Sequence, residues 1–127
     1  MAWYQERPQR YKVELDTLKK YYPQAKIRWD NYRLVIYCQF YTRHNRYMVK
    51  IIYPDGFPYD HPCAYIASPL IRESPHRYSD EALSIHFNSD GPQISGKIML
   101  DGAKKWICAY EKWRKTGIWP EGAVKWI

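Results

Sequence analysis

The first regular pattern along the chain is a stripe of apolar and aromatic residues near the N-terminus. From Tyr11 these residues recur at spacings of four, three and four, which is the period of an amphipathic helix. The stripe consists of Tyr11, Leu15, Leu18 and Tyr22. Pro23 cannot continue a helix, so we expect the helix to end there.

Three runs rich in Ile, Val, Tyr and Phe follow this helix and have the composition of β-strands. They extend from Lys26 to Trp29, from Arg33 to Tyr41 and from Arg46 to Tyr53. Asp-Asn at 30–31 and His-Asn at 44–45 separate them and suit hairpin turns. Residues 53–58, with two prolines and a glycine, interrupt the ladder before a fourth strand from Cys63 to Ala67. The runs therefore predict an antiparallel meander of four strands.

A long segment without sustained periodicity, from Leu70 to Lys97, follows the fourth strand. It contains Pro, Ser, Asp, Gly and His around a short apolar group at Leu83 and Ile85. Irregular segments of this length inside a compact domain are uncommon and are often functional. We therefore expect the functional site in this segment.

A second helical stripe lies beyond this segment and predicts a C-terminal helix. Its apolar positions are Met99, Ala103, Trp106, Ile107, Tyr110 and Trp113. Gly117 is its expected end, and we expect Trp119 and Trp126 of the tail from Ile118 to Ile127 to pack on the domain. The order of elements predicts an α+β fold, in a single domain over residues 1–127, with helices against one antiparallel sheet.

Composition is consistent with one globular domain. The chain has 127 residues, of which 46% are hydrophobic, and it contains 13 Tyr and 6 Trp. No apolar stretch approaches the roughly 20 residues of a membrane span, and the N-terminus lacks a signal-peptide pattern. We therefore expect a soluble, cytoplasmic protein without a membrane partner.

The potential metal and redox residues form no known pattern. The three cysteines, Cys38, Cys63 and Cys108, are widely spaced without a CxxC pair, which suggests neither a disulfide framework nor a zinc site. The strand and helix patterns around Cys63 and Cys108 predict core thiols. The four histidines show no helix-spaced ligand pairs, so we expect no metal and no cofactor.

Positive charge is the remaining feature of the composition. The formal net charge is +7, which permits an acidic partner, either nucleic acid or an acidic protein surface. Because the basic residues are spread from Arg7 to Lys125 without a nucleic-acid-binding motif, nucleic acid is the less favoured partner. The first helix and its lead-in carry basic residues, which also suit an ordinary solvated helix face. These residues are Arg7, Arg10, Lys12, Lys19 and Lys20.

Three segments resemble the ubiquitin-conjugating (E2) family. The segment YMVKIIYPDGFPYDHPCAYIASP is similar to the family's third strand, Tyr-Pro-x-x-(Phe/Tyr)-Pro turn and fourth strand. The matching residues are Tyr53, Pro54, Phe57, Pro58 and Pro62. The segment HRYSDEALSIHF places Leu83, Ser84 and Ile85 on the family's Leu-Cys-Leu-type active-site triplet. The ending WICAYEKWRKTGIWPEG resembles bacterial E2-like proteins of CBASS-type antiphage defence or of ubiquitin-like conjugation operons, and the resemblance covers about residues 8–122.

The resemblance implies an acyl carrier. Such a protein holds the C-terminus of a ubiquitin-like protein, or of a cGAS-like nucleotidyltransferase, as a thioester at position 84 and transfers it to an amine. The resemblance also implies an E1-like activating enzyme that docks partly through the first helix. The candidate contacts for this partner are Arg7, Arg10, Lys12 and Lys19.

Further roles in the loop follow from the same resemblance. His76 is expected to orient the loop or polarise the acyl carbonyl, and Tyr78 and Asp80 to position the amine. His86 is a second candidate proton acceptor, and Asn88 a candidate donor to an oxyanion. The alternative for each residue is a polar side chain that satisfies loop backbone.

Two departures from the family pattern concern this loop. The family's His-Pro-Asn tripeptide is absent, and Ser74-Pro75-His76 lies near its place. The second departure is Ser84, because an alcohol ionises less readily than a thiol and forms a more sluggish acyl link, which should impair turnover. Three explanations stay open: an engineered Cys→Ser change that traps or silences the enzyme, a natural member that binds without transferring, and a different alignment of the loop.

One other catalytic arrangement is compatible with the residue types. A serine hydrolase would use Ser84 as nucleophile with a histidine and a carboxylate, for which His76, His86 and Asp80 are available. The Gly-x-Ser-x-Gly sequence that exposes such a nucleophile does not surround Ser84. The hydrolase is therefore the less favoured enzyme.

Overall fold

The described chain contains three helices and four strands, and the predicted helices and strands follow one another in the predicted order. A computed structural model describes residues 2–85 and 94–120. The elements are α1 (Trp3–Glu6), α2 (Pro8–Tyr21), β1 (Lys26–Asp30), β2 (Arg33–Tyr41), β3 (Arg46–Ile52), β4 (Cys63–Ser68) and α3 (Gly96–Thr116). The predicted α+β arrangement of an N-terminal helix, a four-stranded antiparallel sheet and a C-terminal helix is confirmed. No helix in this described part is long and apolar enough to cross a membrane.

The sheet is a meander in which each strand pairs antiparallel with the next along the chain. Side chains alternate between the two faces of a strand, so one face of β2 and β3 can be entirely apolar. That face carries Leu34, Ile36, Cys38, Phe40, Tyr47, Val49 and Ile51, all buried in one core cluster with residues of α2 and α3. The opposite face of the sheet is turned away from both long helices.

The turn between β1 and β2 lies one residue later than predicted. Asp30 pairs with Arg33, so the two turn residues are Asn31 and Tyr32, with φ of 50° and 64°. Two consecutive positive φ values are typical of a primed hairpin turn. The Tyr4 hydroxyl donates to the Tyr32 carbonyl over 2.9 Å, which ties the N-terminus to this turn.

The N-terminal segment contains more helix than the apolar stripe predicted. The second helix begins at Pro8, ahead of the predicted start at Tyr11, because proline suits the first position of a helix. The short α1 ahead of it was not predicted. Its Trp3 is buried, with its ring 5.5 Å from that of Tyr53 and 4.6 Å from that of Phe57. The segment is thereby packed on the proline turn.

The apolar pattern also did not predict a buried carboxylate on α2. Glu14 is 3% exposed and accepts hydrogen bonds from the Tyr53 hydroxyl at 2.8 Å and from the Gly96 amide at 3.0 Å. The Arg10 guanidinium lies 3.5 Å from its other oxygen. A Cβ atom at position 96 would lie 2.0 Å from the Tyr53 hydroxyl, so this close approach requires glycine. Glu14 therefore joins α2, the end of the β3 segment and the start of α3.

Helix α3 covers the apolar face of the sheet. The Ser95 hydroxyl caps it by accepting from the Ile98 amide at 3.1 Å, and Gly117, with φ of 77°, ends it as predicted. The prediction of a core thiol at Cys108 is wrong: the residue follows Ile107 and its position on the helix turns it to solvent. Cys63 is half-buried and lies opposite Ile52 on the outer face of the sheet, so it is not a core residue either.

Candidate functional site

Ser84 lies in a short hairpin within the segment that the sequence left without regular structure. Arg77 and Leu83 form an antiparallel bridge, and the Tyr78 amide donates to the Ala82 carbonyl over 2.9 Å. A carboxylate oxygen of Asp80 accepts from the Ala82 amide at 3.1 Å, which closes the turn. The hairpin gives residue 84 a defined place beside β4.

Two backbone hydrogen bonds hold the triplet formed by residues 83–85. The Leu83 amide donates to the Ala64 carbonyl of β4 at 2.8 Å, and the Ser84 amide donates to the His76 carbonyl at 2.9 Å. Leu83 and Ile85 are buried, whereas Ser84 is only half-buried. The arrangement fixes the backbone of residue 84 while leaving its side chain at the protein surface.

Two tryptophans position His76. The His76 carbonyl, which already accepts from Ser84, also accepts from the indole nitrogen of Trp106 at 2.9 Å. The His76 ring lies 4.8 Å from the ring of Trp119, which in turn is 5.6 Å from that of Trp106. The expected packing of Trp119 on the domain is confirmed, and Trp126 lies outside the described residues. The core of α3 is thus connected to the backbone of residue 84 through a single carbonyl.

The other residues expected at the site have different surroundings. Tyr78 is exposed at the tip of the hairpin. Asp80 faces β4, where burial raises the pKa of Tyr65 and the charges of Cys63 and Asp80 add to this effect. His86 and Asn88 lie outside the described residues. In the described part, His76 contacts Trp119 and Asp80 contacts Ala82 and Tyr65, and these contacts do not form the Ser-His-Asp chain of a hydrolase.

The thiols of the chain are poor candidates for the missing nucleophile. Burial raises the pKa of Cys38 to about 11, and this residue has no solvent exposure. Burial, with the charge of Asp80, also raises the pKa of Cys63. A thiol nucleophile needs the opposite shift, toward the thiolate. Cys108 is exposed on α3, within a helix and not in the Ser84 hairpin.

No metal site is formed by the residues that the structure describes. Within residues 2–85 and 94–120, no group of three or more His, Cys, Asp or Glu side chains is placed to hold a metal ion.

The four basic residues expected to bind a partner fall into two groups. The Arg7 guanidinium donates to the Tyr59 hydroxyl at 3.1 Å and lies 5.1 Å from the centre of that ring. Arg10 lies 4.9 Å from the centre of the Phe57 ring, besides its contact with Glu14. These two arginines pack against the proline turn. Lys12 and Lys19 are exposed along α2.

Comparison with known families agrees with this geometry. The family model described as Type II CBASS E2 protein matches residues 14–125, a range that includes the sheet, the proline turn, the Ser84 hairpin and α3. No curated protein and no solved structure matches the chain. The match extends over most of the sequence, so the chain belongs to the family of type II CBASS E2 proteins and has an E2-like role in CBASS antiphage defence.

Proposed function

We propose that position 84 is the acyl-carrier position of this E2-like protein. The residue there takes the C-terminus of a ubiquitin-like protein, or of a cGAS-like nucleotidyltransferase, from an E1-like activating enzyme and passes it to an amine. The observation that carries the proposal is the anchoring of Leu83 and Ser84 by backbone hydrogen bonds, with buried Leu83 and Ile85 on either side of a side chain at the surface. A carrier needs such a fixed and accessible nucleophile.

The transfer consists of two acyl exchanges. In the first, the side chain of residue 84 attacks the carbonyl of the activated C-terminus, a new ester bond forms, and the thiol of the activating enzyme leaves with a proton. In the second, an amine attacks the same carbonyl, an amide bond forms, and the side chain of residue 84 leaves with a proton from the amine. With cysteine the intermediate is a labile thioester, whereas Ser84 gives at most an oxyester that is slow to form and slow to react. We infer that this chain is a trapped or inactive form.

The surrounding residues support the two exchanges. His76 orients the loop through its carbonyl, which accepts from the Ser84 amide, and Tyr78, exposed at the hairpin tip, positions the incoming amine. Asp80 acts on the hairpin itself, through its bond to the Ala82 amide. His86 as proton acceptor and Asn88 as oxyanion donor complete the proposal.

The decisive variant is Ser84→Cys. Mixed with the activating enzyme, the acyl donor and ATP, it should form a covalent adduct that mass spectrometry detects and that a reducing thiol removes. We expect at least about tenfold more adduct than with Ser84, because a thiolate is far more available than an alkoxide at neutral pH. Ser84→Ala is the matched control and should form none. If Ser84→Cys remains folded yet forms no adduct with either donor, position 84 is not the carrier.

The exposed lysines of α2 provide a test of docking. In the Ser84→Cys background, Lys12→Glu with Lys19→Glu should slow adduct formation about tenfold, and more at low salt, because surface charges steer encounter. Stability should change by less than about 0.5 kcal/mol, since both side chains are exposed. Lys112→Glu with Lys115→Glu makes the same change in net charge on α3. Equal slowing by both pairs in a loading assay would show an effect of net charge and would contradict docking at α2.

A second candidate function is a scaffold that recruits the same partners without transfer. It is favoured by the serine at position 84 together with the raised pKa of the Cys38 and Cys63 thiols. A scaffold would bind the activating enzyme in a pull-down with purified components, and Ser84→Cys would not alter that binding or add a covalent product.

A further inference from the structure

The outer face of the sheet, defined as the face turned away from α2 and α3, concentrates the positive charge of the chain. Residues 26–52 contain six Lys and Arg residues against one acidic residue, Asp30. Five of the six lie within strands. The register places all five on the outer face, because each is an odd-numbered residue of β2 or lies opposite one, and these positions alternate with the core positions Leu34, Ile36, Cys38 and Phe40. They are Lys26, Arg28, Arg33, Arg46 and Lys50.

One transverse row across this face alternates lysine with tyrosine. Lys26 lies opposite Tyr37, Tyr37 opposite Lys50, and Lys50 opposite Tyr65, so the row crosses all four strands. The Lys50 ammonium is 5.8 Å from the centre of the Tyr37 ring. With strands about 4.8 Å apart, the two tyrosines are roughly 10 Å apart with a cation between them.

A further ring lies on the same face, outside the row and toward one end of the sheet. Tyr41 is 71% exposed and lies opposite Arg46, on the same outer face. Its hydroxyl donates to the side chain of Gln39 at 3.1 Å, which holds the side chain along the strand. A ring and a cation are therefore paired in a second place on this face.

Four of the five cations on the outer face are available for a ligand. Arg33 is paired with Asp55 at 3.5 Å, and Asp80 lies near Tyr65 at the far edge. Within residues 2–85 and 94–120, no ion pair involves Lys26, Arg28, Arg46 or Lys50. Every residue of β1 is exposed, so the edge of the face is open as well.

We propose that this outer face binds single-stranded nucleic acid. The lysines and arginines contact phosphates, and Tyr37, Tyr65 and Tyr41 supply faces on which bases stack. Charge alone would also suit an acidic protein, but alternating rings and cations at strand spacing match the combination by which single strands are bound without sequence preference. The sequence had disfavoured such a partner because the cations are spread along the chain, and the strand register collects five of them on one surface.

Fluorescence anisotropy of the full chain with a labelled oligothymidylate tests the proposal. Binding should weaken as salt rises, and Lys26→Glu with Lys50→Glu should weaken it at least tenfold and reduce the salt slope by about 1.4, from two lost phosphate contacts. Lys112→Glu with Lys115→Glu on α3 is the control of equal charge and should change affinity much less. If both double variants lose the same affinity, the effect is one of net charge and the proposal is overturned.

The tyrosines distinguish nucleic acid from other polyanions. Tyr37→Leu should weaken oligothymidylate binding about five- to tenfold, whereas Tyr37→Phe, which keeps the stacking face, should leave it unchanged. Binding of inorganic polyphosphate should be the same for both variants. If Tyr37→Leu keeps full affinity, or if polyglutamate competes as well as the oligonucleotide at equal charge, the surface is a general polyanion site and the proposal is wrong. These measurements involve neither Ser84 nor an activating enzyme, so they stand apart from the carrier proposal.

Discussion

Replacing Glu14 with alanine is expected to lower the free energy of unfolding by about 3–5 kcal/mol. The substitution removes the acceptor of two buried donors, the Tyr53 hydroxyl and the Gly96 amide, and the partner of Arg10. A buried donor without an acceptor costs about 1–3 kcal/mol, because it has lost water without a replacement. Urea unfolding, followed by tryptophan fluorescence, measures the change.

Two companion variants assign the effect to the network. Tyr53→Phe removes one donor and keeps the ring, so its cost should be about 1–3 kcal/mol. In the double variant Glu14→Ala with Tyr53→Phe, the hydroxyl that would be left without an acceptor is absent. The total cost should therefore be smaller than the sum of the two single costs. A loss below about 1 kcal/mol for Glu14→Ala would mean that water replaces the carboxylate and that the site is less closed than the structure indicates.

The second large effect is expected at Trp106. This side chain has no solvent exposure, and Trp106→Ala should cost about 3–5 kcal/mol through lost burial and an unfilled cavity. The more informative variant is Trp106→Phe, which keeps most of the ring but loses the N–H that donates to the His76 carbonyl. We expect a cost of about 1–2 kcal/mol and a local loosening of the Ser84 hairpin.

Amide hydrogen exchange separates the local effect from the global one. In Trp106→Phe, the Ser84 amide should exchange faster by a larger factor than amides of the central strands, because its acceptor carbonyl is then held by one bond fewer. Trp113→Phe is the matched control, since Trp113 is on the same helix, half-buried, and has its ring 6.1 Å from that of Tyr110. Equal acceleration of the Ser84 amide in both variants would exclude Trp106 as a positioning residue for the hairpin.

Local sequence patterns were sufficient to predict most of the helices and strands. The composition of residues 33–41, rich in Ile, Val, Tyr and Phe, predicted a strand from Arg33 to Tyr41, and the structure has the same limits. The apolar stripe around Trp106 and the glycine at 117 predicted α3 and its end, because both signals depend on neighbours within a few residues. The elements that were missed or displaced, α1 and the Asn31-Tyr32 turn, are held by contacts distant in sequence, such as the bond from Tyr4 to Tyr32.

Local sequence also predicted part of the candidate site. The Leu83-Ser84-Ile85 triplet and the proline turn are contiguous in sequence, so resemblance to the E2 family was enough to identify them. The positions of Asp80 beside Tyr65 and of His76 against Trp106 and Trp119 depend on how the hairpin folds back on β4 and α3, and no local pattern contains that information.

The sequence by itself determined the order of elements, the family and the position of the candidate carrier residue, because periodicity and motifs are properties of neighbouring residues. Tertiary structure alone decided which polar groups are buried and which charges share a surface. Glu14 appeared as one acidic residue on a charged helix until Tyr53 and Gly96 were brought against it, and five scattered cations became one surface only through strand register. Burial and charge density are sums over residues distant in the chain, and folding is what brings those residues together.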